Sequence, residues 1–134
     1  MSNRINYTSG AKWEDIVGYS RAVKIGSIIE VTGTVAVDDS GNVVGKNNAY
    51  EQTKFILKKI EAVLIRAGAS LNDVVRTRMF VTDIGRWQEY GKAHGEIFGN
   101  IKPCTSMIGV VALIEPDYLI EIEATAILDT GQPD

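Results

Sequence analysis

Two carboxylates stand two positions apart in the segment LIEIEATAIL, which runs from Leu119 to Leu128. The apolar residues around Glu121 and Glu123 indicate a β-strand, in which alternate side chains point to the same face. The two carboxylates then share one face at a separation of about 6.6 to 7 Å. A carboxylate in such a place can position or activate a water molecule, or it can pair with an arginine across an interface. Both interpretations of Glu121 stay open from the sequence, and Glu123 is the more structural of the two.

Arginines with the same spacing occur in the segment DVVRTRMFVTD, which the residue pattern also predicts to be a strand. If this strand lies beside the last one, Arg76 and Arg78 can form a ladder of ion pairs with Glu121 and Glu123. Alternation predicts that one face carries Val75, Thr77, Met79 and Val81, and the other Val74, Arg76, Arg78 and Phe80. A face that mixes apolar and charged residues is typical of an oligomer interface.

Few other residues in the sequence could take part in chemistry. His94 is the one histidine and follows the apolar side of a predicted helix, which favours a structural role. Thr105 and Ser106 offer hydroxyls, but the sequence shows no base to activate either as a nucleophile. Cys104 is the one cysteine, so no intrachain disulfide forms, and we expect it to be buried as a small apolar residue. A zinc site built from Cys and His would need more ligands.

The elements that must position these residues follow from periodicity. Residues 20–25 and 28–37 predict a β-hairpin around Gly26 and Ser27. A helix is expected from about 49 to 67, with Asn48 and Glu51 as a capping box and Gly68 after its end. A second helix is expected over 84–98, and strands over 105–113 and 118–128.

The second predicted helix has Asp83 as its cap and carries Trp87, Tyr90, His94, Ile97 and Phe98 at helical spacing. Gly91 and Gly95 lie inside it, and each costs about 1 kcal/mol relative to Ala. We therefore expect another element to approach the backbone closely there. Two helices cannot cover both faces of a sheet of five or six strands, so both are expected on one face. The predicted fold class is α+β.

Composition sets wider limits. The chain has 134 residues, 45% of them hydrophobic and 23% charged, which suits a single domain over 1–134 with an ordinary core. A formal net charge of -3 argues against a nucleic-acid partner, because phosphate binding needs clustered Lys and Arg. No apolar run is long enough for a membrane span and the N-terminus has no signal-like segment, so a cytoplasmic location is expected.

Several segments together resemble the Rid/YjgF family, also called the endoribonuclease L-PSP family. They are VGYSRAVKIGSIIEVTG, AVLIRAGASLNDVVRTRMFVTD, KPCTSMIGV and IEIEATAI. The resemblance covers nearly the whole chain. It implies a chorismate-mutase-like α+β fold assembled as a homotrimer, with the open sheet faces around a central barrel and a cleft for a small molecule at each subunit boundary. It also implies hydrolysis of enamines or imines without a metal or an organic cofactor.

The site residues of the family's deaminases are carried over by position. Glu121 takes the place of the glutamate that positions water, Tyr19 that of the pocket tyrosine, and Gly33 that of the pocket glycine, with Thr32 beside it. Three positions differ: Thr105 stands where the substrate-carboxylate Arg is expected, Met107 where a Cys is expected, and Gly91 where an Asn is expected. The resemblance is therefore to a branch without that Arg.

Three functions follow from this comparison. The first is a Rid-like hydrolase that acts on an enamine, an imine or a related compound through Glu121 and water. The second is a trimer that binds a small metabolite without turnover, which the replaced Arg and Asn favour. The third is the ribonuclease activity attributed to some members, which the acidic composition and the lack of a second histidine disfavour.

Overall fold

A computed structural model describes residues 3–129 and 131, and six strands within them form one mixed sheet. In chain order the elements are β1 (Arg4–Tyr7), β2 (Ala22–Ile25), β3 (Ile28–Thr34), α1 (Ala49–Arg66), β4 (Val74–Val81), α2 (Trp87–Phe98), β5 (Cys104–Gly109) and β6 (Ile120–Ile127). The strand order is β1-β2-β3-β6-β4-β5, with β4 and β5 parallel and the other pairs antiparallel. β6 therefore lies in the centre of the sheet, between β3 and β4.

The two helices cover one face of the sheet, which confirms the predicted α+β class. α1 packs on β3, β6 and α2. The core between helices and sheet includes Ile29, Val31, Ile56, Leu57, Ile60, Leu64, Met79, Val81, Ile120, Ile122, Ala124 and Ala126. The alternation predicted for β6 is confirmed, because Ile120, Ile122, Ala124 and Ala126 are all buried. Glu121 and Glu123 consequently lie on the face that the helices leave open, called here the open face.

α1 begins and ends as predicted, with one difference at its N-terminus. The Asn48 side chain accepts a hydrogen bond from the Glu51 N–H at 2.9 Å, and Gly68 follows the helix with φ +84°. The return bond of a capping box is absent there, because the Asn48 N–H donates to the Gly45 carbonyl instead. The expected box is therefore half formed.

α2 differs from expectation at its glycines and at its first residue. Asp83 caps a short 3₁₀ turn over Ile84–Arg86 that leads into the helix. Trp87 is 55% exposed rather than packed, whereas Tyr90, His94 and Phe98 are buried. A Cβ at Gly91 would meet only Trp87 of the same helix, at 4.0 Å, and a Cβ at Gly95 would meet nothing within 4 Å. Within the described chain, the expected close approach of another element is wrong.

Two strands place side chains differently from simple alternation. A register shift between Val74 and Arg76 buries Val74 and leaves Val75 exposed, the reverse of the prediction, because a bulge adds one residue to the strand. Cys104 was expected to be buried but is exposed, since it pairs in register with Arg76 on the open face. Neither β1 nor the π-helical turn over Glu14–Gly18 was predicted.

Candidate active site

Glu121 lies against the backbone of the neighbouring strand β3. A Cβ built on Gly33 would stand 2.7 Å from Glu121 Oε2, closer than real Cβ contacts allow. The absence of a side chain at Gly33 is therefore what lets the carboxylate lie there. β3 has a register shift between Val31 and Thr34, so this approach occurs where the regular ladder with β6 is interrupted.

Arg21 is the positive charge that the sequence did not assign to this site. It lies immediately before β2, and its Nη2 donates to the Gly33 carbonyl at 2.8 Å. Burial lowers the pKa of the guanidinium, while the charges of Tyr19, Glu14 and Glu121 act in the opposite direction. Arg21 remains charged at any working pH. It therefore fixes Gly33 and brings a positive charge to Glu121.

The Glu121 carboxyl is poised to hold a proton more firmly than an ordinary glutamate. Burial raises its pKa, repulsion from Glu123 raises it further, and attraction to Arg21 opposes both. A carboxylate whose pKa is moved up toward the working pH is a better general base than one of ordinary pKa. This environment fits a group that takes a proton from water.

Tyr19 and Thr32 line a cavity of about 700 Å³ on the open face, next to Glu14, Arg78 and Glu123. Glu14 is 5% exposed and accepts hydrogen bonds from the hydroxyls of Ser9 and Thr8. Its burial acts to raise the pKa of Glu14, but these hydrogen bonds and the charge of Arg21 outweigh it, and the pKa lies below the ordinary value. Glu14 is therefore a fixed negative charge that anchors the π-helical turn before Tyr19.

Of the two ion pairs expected between the arginines and the glutamates, the structure contains one. β4 and β6 are neighbours as predicted, and Arg78 Nη1 lies 3.6 Å from Glu123 Oε1. Arg76 lies opposite Thr125, and Glu121 lies opposite Phe80. The second pair was wrong because the register of β4 on β6 lies two residues away from the one that would align both arginines with both glutamates. Glu121 has Arg21 as its nearby cation instead.

The remaining predicted site residues lie on the other side of the sheet. Thr105 and Met107 pair in register with Thr77 and Met79, which are buried beneath the helices. Gly91 is on α2 and does not line the cavity beside Tyr19 and Thr32. One chain therefore brings Tyr19, Thr32, Gly33 and Glu121 to the open face, and places Thr105, Met107 and Gly91 apart from them. A joint role for the two groups stays a prediction.

Thr105 is connected to the buried histidine through a second threonine. Thr77 Oγ1 lies 2.9 Å from His94 Nε2 and 2.9 Å from Thr105 Oγ1. Thr105 Oγ1 also donates to the Pro103 carbonyl at 3.3 Å. No sequence signal indicated these contacts, because they join β4, β5 and α2. Burial lowers the pKa of His94, so its imidazole is neutral near pH 7.

Two features are absent from residues 3–129 and 131. No cluster of three or more His, Cys, Asp or Glu side chains is arranged to hold a metal ion. None of the helices has the length and apolar character to cross a membrane.

The protein is a small α+β protein with a six-stranded sheet and two helices on one face. The other face of the sheet is open, and on it a carboxylate lies against a glycine. The chain belongs to the Rid/YjgF family: the family model described as Endoribonuclease L-PSP matches residues 9–128.

Several known proteins of this family are similar to the chain over most of its length. A RutC family protein of Pyrococcus abyssi is 36% identical over 126 residues, covering 94% of this chain and 98% of that protein. The 3-aminoacrylate deaminase RutC of Acinetobacter baylyi is 32% identical over 108 residues, covering 81% of this chain and 85% of that protein. Among solved structures, a YjgF/YER057c/UK114 family member from Mycobacterium tuberculosis is 48% identical with a TM-score of 0.85, covering 94% of this chain and 100% of that one.

Proposed function

We propose that the protein is a Rid-like deaminase that hydrolyses a small enamine or imine with Glu121 and a water molecule. The observation that carries this proposal is the position of Glu121, half-buried against Gly33 with a raised pKa. The relative named 3-aminoacrylate deaminase supports the class of substrate. In the proposed step Glu121 takes a proton from water as the oxygen adds to the imine carbon, and the proton passes to the nitrogen. The carbinolamine then loses ammonia and leaves the carbonyl product.

The proposed assembly is a homotrimer in which the open faces enclose a central barrel. Ile25, Ile28 and Ile127 are direct cross-strand neighbours on that face and each is more than 40% exposed. Such a contiguous apolar stripe is typical of a buried interface. A cleft between two chains would also join the Glu121 group of one to the Thr105 group of another. Light scattering should give three times the 14.6 kDa chain mass, and a monomer would contradict the proposal.

Turnover is tested with imines that are generated in situ in the assay. An amino acid oxidase supplies imino acids, semicarbazide competes for them, and removal by the protein is measured as loss of semicarbazone. We expect wild type to compete and Glu121→Gln, which keeps the shape but not the charge, to lose at least about a hundredfold in rate. Glu51→Gln serves as the matched control, since Glu51 is exposed on α1. Equal rates for wild type and Glu121→Gln would contradict a role for this carboxylate in turnover.

A second candidate is a trimer that binds a small metabolite without turnover. The observation in its favour is Thr105, a neutral hydroxyl where the resemblance expects an Arg, with no arginine later in the chain than Arg86. A guanidinium holds a carboxylate through two charge-assisted bonds, and one hydroxyl cannot replace it. Melting shifts caused by a metabolite without product formation would support this candidate. RNA cleavage has no comparable support, since the one histidine is buried and bonded to Thr77.

A further inference from the structure

The hydrogen bonds from His94 to the surface run in one direction. A hydroxyl has one hydrogen to donate. Thr105 donates its hydrogen to the Pro103 carbonyl, so it must accept from Thr77. Thr77 has then used its own hydrogen, so it must accept from His94 Nε2. This order of donors requires the hydrogen of the neutral imidazole to be on Nε2, with each donor in the series pointing outward to Thr105.

The first two residues of this series, His94 and Thr77, are buried, and the last, Thr105, is exposed. Thr77 is fully buried, His94 is 9% exposed, and Thr105 is exposed at the end of the chain. The ring of Phe98 lies 4.7 Å from the His94 ring and fixes its plane. Because Nε2 of this imidazole is bonded to Thr77, the direction of that bond is set by what Thr77 can offer.

Thr105 opens onto a cavity of about 290 Å³ between α2 and β5. Its lining includes His94, Gly95, Phe98, Lys102, Pro103 and Thr105. Gly95 leaves open space, since no atom lies within 4 Å of a Cβ built there. Lys102 has a left-handed backbone, with φ +54°, and its N–H donates to the Phe98 carbonyl, which ties its backbone to the end of α2. The lining thus combines apolar groups with the Thr105 hydroxyl and Lys102.

The bond from Thr105 to Pro103 is the weakest of the three, at 3.3 Å against 2.9 Å for the other two. A ligand oxygen can therefore take this hydrogen without disturbing the buried part of the relay. A ligand that only donates can use the one lone pair that Thr105 Oγ1 keeps after accepting from Thr77, but it cannot take the Thr105 hydrogen, which stays on the Pro103 carbonyl.

We propose that His94 and Thr77 form a directed relay that makes Thr105 a hydrogen-bond donor to a carbonyl or carboxylate oxygen of a small ligand in this cavity. Thr105 is then the residue that determines specificity, and His94 and Thr77 are positioning residues. Lys102 adds a preference for an anionic acceptor. The relay cannot activate Thr105 as a nucleophile, since the imidazole donates and does not accept. This inference rests on the proposed function for its substrate, but the relay itself is measurable without turnover.

The first measurement is the tautomer of His94 by ¹⁵N NMR, which is unambiguous because the chain has one histidine. We expect hydrogen on Nε2 in wild type and in Thr77→Ser, and a mixture of tautomers in Thr77→Val. Thr53→Val is the matched control, because Thr53 is equally buried and bonds to the Ala49 carbonyl in α1. It should leave His94 unchanged. Hydrogen on Nδ1 in wild type would overturn the proposal.

The second measurement uses three probes of similar size: propionate, propionamide and propylamine. The two acceptors should shift the His94 signals more than propylamine does, because propylamine is protonated at neutral pH and cannot take the Thr105 hydrogen. Thr105→Val, which changes an exposed residue and so leaves the core intact, should weaken both acceptors by about three- to tenfold. Lys102→Gln should weaken propionate alone. A response to propylamine equal to the others, no response to either acceptor, or an unchanged response in Thr105→Val would each overturn the proposal.

Failure of the relay and failure of the proposed function give different results. Glu121→Gln should abolish imine hydrolysis and leave the His94 tautomer and the probe responses as in wild type. If Glu121→Gln keeps its turnover while the relay behaves as expected, the proposed function is wrong and the ligand site stands.

Discussion

The Arg78 guanidinium lies 3.6 Å from the Glu123 carboxylate across β4 and β6, whereas Glu121, two residues before Glu123, lies opposite Phe80. The side chains of the pair are 46% and 42% exposed in the single chain. An ion pair with that much solvent contributes about 0.2 to 1 kcal/mol. Its measured strength therefore reports whether another chain covers the open face.

We expect a double-mutant cycle on Arg78→Ala and Glu123→Ala to give a coupling energy above about 1 kcal/mol in the assembled protein, because burial strengthens charge interactions. In an Ile28→Lys background, designed to keep the chains apart, the coupling should fall to the value of an exposed pair. Chemical denaturation measures both. The same small coupling in both backgrounds would show that this face stays in water.

The acid side of the pH–activity profile should depend on Glu123. In the proposed reaction Glu121 acts as a base and must be ionised, and burial with repulsion from Glu123 raises its pKa above 4.5. Activity is therefore lost as pH falls through that raised pKa. Glu123→Gln removes the repulsion and releases Arg78, so the acid limb of kcat/KM should move to lower pH. Glu51→Gln should not move it. An unmoved limb in Glu123→Gln would assign the limb to a group other than Glu121.

Gly33→Ala should reduce activity far more than stability. The added Cβ would stand 2.7 Å from Glu121 Oε2, and the end of a flexible side chain can move away. We expect a loss of about tenfold to a hundredfold in kcat/KM, since small misplacements of a catalytic group are costly. Gly109→Ala is the matched control, because its Cβ would meet Ile84 at an ordinary 3.4 Å. Comparable losses in both variants would show that the effect is not specific to Glu121.

The elements of this fold were predictable because their signals are local. The N-cap of α1, the glycine after it and the alternating strand β6 each depend on neighbouring residues, and each is confirmed. The half-formed capping box was not predictable, since the Asn48 N–H is taken by the Gly45 carbonyl. The bulge that exposes Val75 was not predictable either, because it depends on pairing with β6.

In the candidate site, the placement of the two carboxylates on the open face was predictable, and the residues around them were not. The carboxylates were visible from two glutamates in an apolar strand. Arg21 is a hundred residues from Glu121 in sequence, and only the order of β2, β3 and β6 brings them together. The relay from His94 to Thr105 needs the parallel register of β4 and β5 beneath α2. Such contacts have no pattern in a single sequence.

Gly91→Ala tests whether anything lies against α2. In the single chain a Cβ there would meet only Trp87, at 4.0 Å. Replacing a glycine inside a helix with alanine should then raise the free energy of unfolding by about 0.5 to 1 kcal/mol. Gly95→Ala should do the same, since it also faces open space. Urea denaturation measures both, and a loss of stability in Gly91→Ala would show that a neighbouring chain packs on this helix.

His94 should make the protein less stable in mild acid. Burial lowers its pKa in the folded state below the ordinary 6.5, so the unfolded chain takes up a proton before the folded one does. Because the unfolded state then binds more protons, stability falls as pH decreases below about 6.5, and this contribution is constant above it. His94→Gln keeps a side-chain amide near Thr77 and cannot titrate. We expect urea denaturation between about pH 5 and about pH 8 to show a shallower acid-side loss in His94→Gln than in wild type. Parallel curves would mean that His94 protonates equally in both states and is not held neutral beneath α2.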